Sequence, residues 1–266
     1  MASESPADVM QANRAAWNAA RYEAWQEALG APADEAARLQ ADPARAARRV
    51  LPHLGPIAGK RICNVQGSHG RLAVSLALLG AQVTIIDFAE DNRRYAAELA
   101  SAAQVRLDYV LSDIMAAADL GLGEFDALVM ELGILHYHLD IAAFFRVMGR
   151  LCGEGAALVL HEFHPVQRKL FQSYPGQAPD YFSADLVRAP VPDPTGQDRV
   201  LGECQYRFWT LSEVLGAALG AGFRLKTFEE HPDWTDPHIP GAYTLAADWR
   251  RRDPGKDLSD PWANSF

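Results

Sequence analysis

The stretch that decides the fold is Lys60–Ala103, KRICNVQGSHGRLAVSLALLGAQVTIIDFAEDNRRYAAELASAA. It reads as strand, glycine turn, helix, strand, acidic residue, helix. Ile62 to Val65 is a short apolar run that stops at a turn carrying Gly67 and Gly70. Arg71 to Leu79 is apolar almost all the way round, as in a helix pressed against a sheet, and Ala73 and Ala77 permit close approach. Gly80 ends it. Val83 to Ile86 is a continuous β-branched run, the pattern of a strand buried on both faces, and it finishes in Asp87. Asn92, Ala96, Leu99, Ala100 and Ala103 then recur at helical spacing. This is a βαβ unit opening an α/β sheet.

Ligands of open parallel sheets bind beyond the carboxyl ends of the strands, where turn amides and a helix N-terminus point outward. A carboxylate about twenty residues past the turn, at the end of the second strand, meets the two hydroxyls of a ribose. Asp87 therefore marks an adenosine-type site, and capping of the following helix is its alternative duty. A dinucleotide fingerprint would put glycine where Val65 stands, which argues against NAD. The stretch instead resembles motif I of the class I S-adenosylmethionine-dependent methyltransferases, acidic-x-Gly-x-Gly-x-Gly. The corresponding positions read Asn64-Val65-Gln66-Gly67-Ser68-His69-Gly70, with Asn64 for the acid and Gln66 and Ser68 for two glycines. The resemblance implies a Rossmann-like, mostly parallel seven-stranded sheet with helices on both faces and a final antiparallel strand. It also implies S-adenosyl-L-methionine as cofactor, held by Asn64, Gln66, Gly67, Ser68, Gly70, Asp87 and Phe88.

Composition sets outer limits. The chain has 266 residues, 49% hydrophobic and 22% charged, which suits one ordinary domain with a sizeable core. A net charge of -9 without a basic stripe disfavours nucleic acid and anionic membranes as partners. Cys63, Cys152 and Cys204 form no CxxC pair, so a reducing compartment and no structural zinc are expected. MASESPAD lacks the basic start and apolar core of a signal peptide, and no run reaches transmembrane length. A cytoplasmic location is the expectation.

Outward from the core unit, an alanine-rich helix is expected from about Ala7 to Leu29, carrying Trp17, Tyr22 and Trp25. Its aromatics serve either packing or, by the resemblance, a lid over the cofactor through Trp17 and Tyr22. Asp42 and Pro43 signal a second helix. Val105 to Leu111 reads as the third strand, followed by Asp113 and Ile114, which match the family's adenine-binding pair; a helix-capping Asp113 is the alternative. Phe125 to Met130 is a buried strand running into Glu131-Leu132-Gly133-Ile134-Leu135-His136-Tyr137-His138, and by the resemblance Glu131 and Leu132 lie beneath the cofactor. Ala156 to Leu160 is the fifth strand. The aromatic, Pro- and Gly-interrupted stretch from Pro165 to Trp209 has no clear elements; a cover for the substrate or a homodimer contact would explain it. A capping box at Thr210-Leu211-Ser212-Glu213 opens a helix, and strands at Phe223–Glu230 and Ala242–Trp249 close the sheet. The divisions are 1–55 for a helical lid, 56–164 for the cofactor-binding core, 165–209 for the covering loop, 210–250 for the closing helix and strands, and 251–266 for a tail that docks, if at all, through Trp262 and Phe266.

The ends of strands four and five gather Glu131, His136, His138, His161, Glu162 and His164 at one sheet edge. No HExxH or related ligand spacing is present, so no metal is expected. Imidazoles titrating near neutrality suit proton transfer, which nominates His136 and His164 as bases and Glu162 to orient one of them, with satisfied structural histidines as the alternative reading. The reading is methyl transfer to a small molecule at an oxygen, nitrogen, sulfur or carbon. Its rivals are a protein of the same fold that binds the cofactor without transfer, and an NAD-dependent oxidoreductase.

Overall fold

The computed structural model describes residues 6–19, 21–172, 174, 176–191, 193–197, 199–200 and 202–251. The strands are β1 (Arg61–Val65), β2 (Gln82–Asp87), β3 (Leu107–Leu111), β4 (Phe125–Glu131), β5 (Cys152–Phe163), β6 (Val187–Pro190), β7 (Glu203–Tyr206), β8 (Phe223–Pro232) and β9 (Pro240–Trp249). Seven of them make one sheet in the order β3-β2-β1-β4-β5-β9-β8. The first five pair in parallel, and β9 runs antiparallel between β5 and β8. The Rossmann-like, mostly parallel sheet read from the sequence is the one the chain forms.

Side chains alternate across β4 and β5 and so feed two cores. Leu128, Met130, Leu158 and Leu160 point to one face, where Phe144, Phe145 and Met148 of α7 (Ile141–Leu151) and Val214 and Ala218 of α8 (Leu211–Gly220) cover them. Val129 and Val159 point to the other, packed with Leu72 and Leu76 of α5 (Arg71–Leu78). Both faces are covered, which is why these strands read as unbroken apolar runs. The α8 start has the full capping box, with Thr210 accepting from Glu213 N–H and Glu213 returning to Thr210 N–H.

The amino-terminal third departs from expectation. In place of one helix to Leu29 there are α1 (Pro6–Trp17) and α2 (Arg21–Leu29), and α3 (Pro32–Ala41) starts at Pro32. The break after Trp17 is stabilised by an exchange of caps with α6 (Glu90–Ala102). Asn18 Oδ1 accepts from Glu90 N–H at 2.8 Å, at the start of α6. Asp91 Oδ2 accepts from Arg21 N–H at 2.9 Å and Tyr22 N–H at 3.3 Å, at the start of α2. Each helix thus satisfies amides that the other leaves open. The helix expected from Asp42 is instead a run of single turns, with Arg45 N–H to Asp42 O and Val50 N–H to Ala47 O at 3.0 Å each, before the short α4 (Leu51–Leu54).

The stretch from Pro165 to Trp209 holds more order than its sequence suggested. It contains a helical turn at Gln167–Phe171 and the antiparallel pair β6–β7. Asn13 of α1 docks on β7 as a strand would, donating to Gln205 O at 3.0 Å and accepting from Gln205 N–H at 2.8 Å. Trp262 and Phe266 lie outside the described residues.

Replacing Asp91 by alanine removes the acceptor for two α2 amides. We expect a loss of about 1 kcal/mol in urea unfolding, with faster hydrogen exchange at Arg21 and Tyr22 than elsewhere in the chain. Unchanged exchange there would show that α2 is held by packing alone.

Candidate functional site

The carboxyl ends of β1, β2 and β4 open onto a cavity of about 660 Å³. It lies where the strand order reverses between β1 and β4, the place at which open α/β sheets bind ligands. The turn after β1 forms its floor. Asp87 and Phe88 form one side, and Glu131 to Ile134 with Tyr137 form another. Trp17, Trp25, Arg45, Arg48 and Arg49 close the outer wall.

The turn keeps a glycine-type backbone without the full set of glycines. Gln66 and Ser68 sit at φ +48° and +49°, in the left-handed region, with Gly70 at +80°. A left-handed L-residue costs about 1–2 kcal/mol, so the conformation must be held from outside. Gln66 N–H donates to Ile86 O at 2.8 Å, and Gln66 Oε1 lies 2.7 Å from His138 Nε2. Ser68 N–H donates to Asp87 Oδ2 at 3.0 Å. The retained glycines answer to space as well. A Cβ on Gly67 would stand 2.5 Å from Asn64 Oδ1, and one on Gly70 would stand 2.7 Å from Ala96 Cβ.

Asp87 is buried, and its other oxygen accepts from Ala89 N–H at 2.8 Å. It caps the approach to α6 and clamps the turn while still lining the cavity. Burial pushes its carboxyl up to about 6, with the Ala89 and Ser68 amides opposing. Two atoms on the same wall are buried without a hydrogen-bond partner, Asn64 Oδ1 and Ser68 Oγ. Buried polar atoms are normally satisfied, and these two belong to residues that line the cavity. Glu131 lies on the cavity wall at the end of β4, and burial pushes it up to about 7 against the pull of Arg71 and Arg49.

Other expected site residues are distributed as follows. Trp17 and Leu132 line the cavity with Asn64, Gln66, Gly67, Ser68, Asp87, Phe88 and Glu131. Gly70 begins α5 just below. Tyr22 is turned away from the cavity, its hydroxyl on Glu98 Oε2 at 2.5 Å and its ring against Tyr95. Asp113 caps the turn at Ile114–Asp119 through Met115 N–H at 2.9 Å. It also lines a second recess, shared with Phe88 and with Met10, Gln11, Arg14 and Asn18 beneath α1. Ile114 is in the core beside Ile86.

The residues nominated for proton transfer lie elsewhere. Glu162 is buried and accepts four backbone amides, from Gly133, Ile134, Leu135 and Phe163 at 2.6, 2.8, 3.0 and 2.7 Å. This makes it the anchor of the loop after β4, with no imidazole on either oxygen among the described residues. His136 shares a crevice of only about 30 Å³ with it and packs on Tyr137 and Tyr206. Burial lowers its basicity well below that of a free imidazole. His164 has both ring nitrogens engaged, Nδ1 by Val166 N–H at 3.1 Å and Nε2 with Glu230 at 2.8 Å. None of the three lines the large cavity. Among the described residues no group of three or more His, Cys, Asp and Glu is placed to hold a metal ion, and no helix is long and apolar enough to cross a membrane.

Sequence reasoning missed His69, Arg71, Asn92, Tyr137 and the arginines at 45, 48 and 49 as wall residues. His69 and Arg71 adjoin the glycine turn and were legible from that position. The arginines were not, because the turns that aim them replaced an expected helix.

Residues 62–155 match the family model of a methyltransferase domain. Over 103 residues, 39% of this chain, the sequence is 36% identical to a ubiquinone biosynthesis O-methyltransferase of Methylocella silvestris. The chain spans 40–43% of the length of the curated relatives it matches. An S-adenosylmethionine-dependent methyltransferase of Mesorhizobium loti superposes with a TM-score of 0.58 at 21% identity, covering 79% of this chain and 99% of that one. The magnesium protoporphyrin IX methyltransferase of Synechocystis, with bound S-adenosylmethionine, superposes with a TM-score of 0.59 at 15% identity, covering 94% and 99%.

Two outcomes follow from the geometry. Glu162→Gln puts an amide against backbone donors, and we expect about 1–3 kcal/mol lost in urea unfolding; an unchanged midpoint would return Glu162 to chemistry. Glu131 has a folded pKa above its unfolded value of 4.5, so its contribution favours folding below about 4.5 and is lost as pH rises to about 7. Glu131→Gln should match wild type near pH 4 and exceed it by about 1–3 kcal/mol near pH 8. Equal stability at both pH values would mean that the carboxylate is well solvated.

Proposed function

Taking the class I S-adenosylmethionine-dependent methyltransferase fold and the methyltransferase domain at residues 62–155 as the premise, we propose that this chain transfers a methyl group from S-adenosyl-L-methionine to a small-molecule acceptor. The observation that carries the reading is the cavity floor, where the unsatisfied Asn64 Oδ1 and Ser68 Oγ accompany Asp87 on one wall. When bound, the cofactor supplies a methyl group already activated for in-line attack. The chain's own residues do the rest. Asp87, retaining lone pairs beyond those given to the turn, accepts from ribose hydroxyls, and the Asn64 and Ser68 oxygens meet the remaining polar groups. Phe88 and Asp113, which share the recess beneath α1, serve the base. Trp17, Leu132 and Tyr137 exclude water from the reacting ends and fix their alignment, which can supply several kcal/mol or more of a barrier.

Glu131 suits proton transfer better than His136, His164 or Glu162. It lines the cavity, its carboxylate has no hydrogen-bond partner among the described residues, and it is pushed up to about 7. A carboxylate so placed accepts a proton from a hydroxyl or amine near neutral pH. The net charge of -9 and the three buried, unpaired cysteines support a cytoplasmic enzyme with neither nucleic acid nor membrane as partner.

Calorimetry and thermal unfolding test the reading. S-adenosylhomocysteine at a hundredfold excess over its dissociation constant should stabilise the fold by about 2.7 kcal/mol, and NAD should not. Incubation of a metabolite extract with trideuteromethyl-labelled cofactor should then yield a labelled product. Binding with no labelled product in any extract would leave a cofactor-binding protein, and stabilisation by NAD alone would leave an oxidoreductase.

A further inference from the structure

Two residues of the turn after β1 are left-handed without being glycine, Gln66 at φ +48° and Ser68 at φ +49°. Each is pinned by a group from another element. Ser68 N–H donates to Asp87, which itself lines the cavity. Gln66 is pinned from across the reversal in strand order, where its Oε1 lies 2.7 Å from His138 Nε2. His138 follows the helical turn Leu135–Tyr137 after β4 and is only 3% exposed. It is not among the residues that line the cavity. Its ring packs 4.2 Å from that of Phe144 in α7, and burial lowers its basicity to about 3, so the imidazole stays neutral. An amide oxygen only accepts, so Nε2 carries the ring proton and donates it to Gln66. The main chain of His138 is held too, because Trp209 Nε1 donates to His138 O at 3.1 Å and to Leu135 O at 3.2 Å. Trp209 ends the aromatic stretch that begins at Pro165. Hydrogen bonds therefore run from that stretch, through His138, to the turn.

We propose that His138 is a positioning residue for the cofactor: it holds Gln66 in the left-handed conformation in which the turn receives S-adenosyl-L-methionine, and it ties that turn to the stretch from Pro165 to Trp209. The inference deepens the methyl-transfer reading and rests on it. Without the pin, an L-residue at position 66 relaxes toward negative φ and carries the neighbouring amides with it. Binding would then have to restore the turn, and affinity falls by that amount. A glycine at position 66 has no such need, because it occupies the left-handed region freely. His138 and Gln66 are therefore one unit, and the value of the histidine depends on which residue it faces.

Calorimetry with S-adenosylhomocysteine on a two-residue cycle tests it. His138→Leu should weaken binding about tenfold, and His138→Gln, which puts an amide N–H in the place of Nε2, should recover it to within about threefold of wild type. In a Gln66→Gly background, whatever that change does alone, adding His138→Leu should alter the affinity less than about twofold. A ring that serves packing alone would give the same loss in both backgrounds and no recovery with glutamine, and that result overturns the inference. Wild-type affinity in His138→Leu overturns it as well. Where His138→Leu fails to fold, Gln66→Met keeps the left-handed position and removes the acceptor. The backbone amides at positions 66 and 68 should then exchange hydrogen about tenfold faster than in wild type, and unchanged exchange overturns the pin. If S-adenosylhomocysteine fails to bind wild type at all, the methyl-transfer reading falls, and the pin is still scored by exchange at the same two amides in the cofactor-free protein.

Discussion

The carboxylate of Asp87 joins the carboxyl ends of β1 and β2 at one point, accepting from Ser68 N–H on one oxygen and Ala89 N–H on the other. Much else in the site depends on that clamp. The turn after β1 contains left-handed Gln66 and Ser68, a conformation that local energetics oppose. Held by Asp87, it keeps Gln66, Gly67 and Ser68 on the lining of the cavity. The same carboxylate holds Ala89, the residue before α6, so the approach to that helix and the floor of the cavity are fixed together.

From α6 the constraint passes to the outer wall. Asn92 accepts from Trp25 Nε1 at 2.8 Å, and Trp25 packs edge-on against His69 of the turn. Glu35 of α3, buried between Arg38 and Arg71 at 2.6 and 2.5 Å, ties the amino-terminal helices to the first residue of α5. Breaking such a pair from one side leaves a poorly solvated charge, which is costly. The amino-terminal segment is therefore a wall keyed into α5 and α6 at several points. It is not a flap resting on the surface, and Tyr22 belongs to the keying while Trp17 and Trp25 belong to the cavity.

Most of the sheet was legible because buried parallel strands leave unbroken β-branched runs, and Val83–Ile86 is the clearest case. The closing strands were legible as two runs set apart by a Pro-rich loop, although β8 is largely exposed. Less could be read where structure depends on distant partners. Nothing near Trp17 announces a helix break, since the groups that stabilise it, Glu90 and Asp91, lie about seventy residues on. The four-residue strands β6 and β7 are too short to show a period and are braced by Asn13, far off in the chain. At the site, the turn, Asp87 and Glu131 singled out by motif position line the cavity. Residue chemistry alone does not show where a side chain is engaged: His136 packs on aromatic rings, His164 meets Val166 N–H and Glu230, and Glu162 accepts backbone amides.

The glycine turn separates two demands that a sequence pattern merges. Gly67 and Gly70 stand where a methyl group would strike Asn64 or Ala96, whereas Gln66 and Ser68 occupy places that ask only for an unusual backbone angle. A collision cannot be negotiated by hydrogen bonds, but a torsional preference can. Pattern searches that score every glycine of such a fingerprint alike will therefore undervalue chains of this kind. A search that demanded glycine only at the crowded positions, and at the others a side chain or carboxylate able to pin the turn, would recover them.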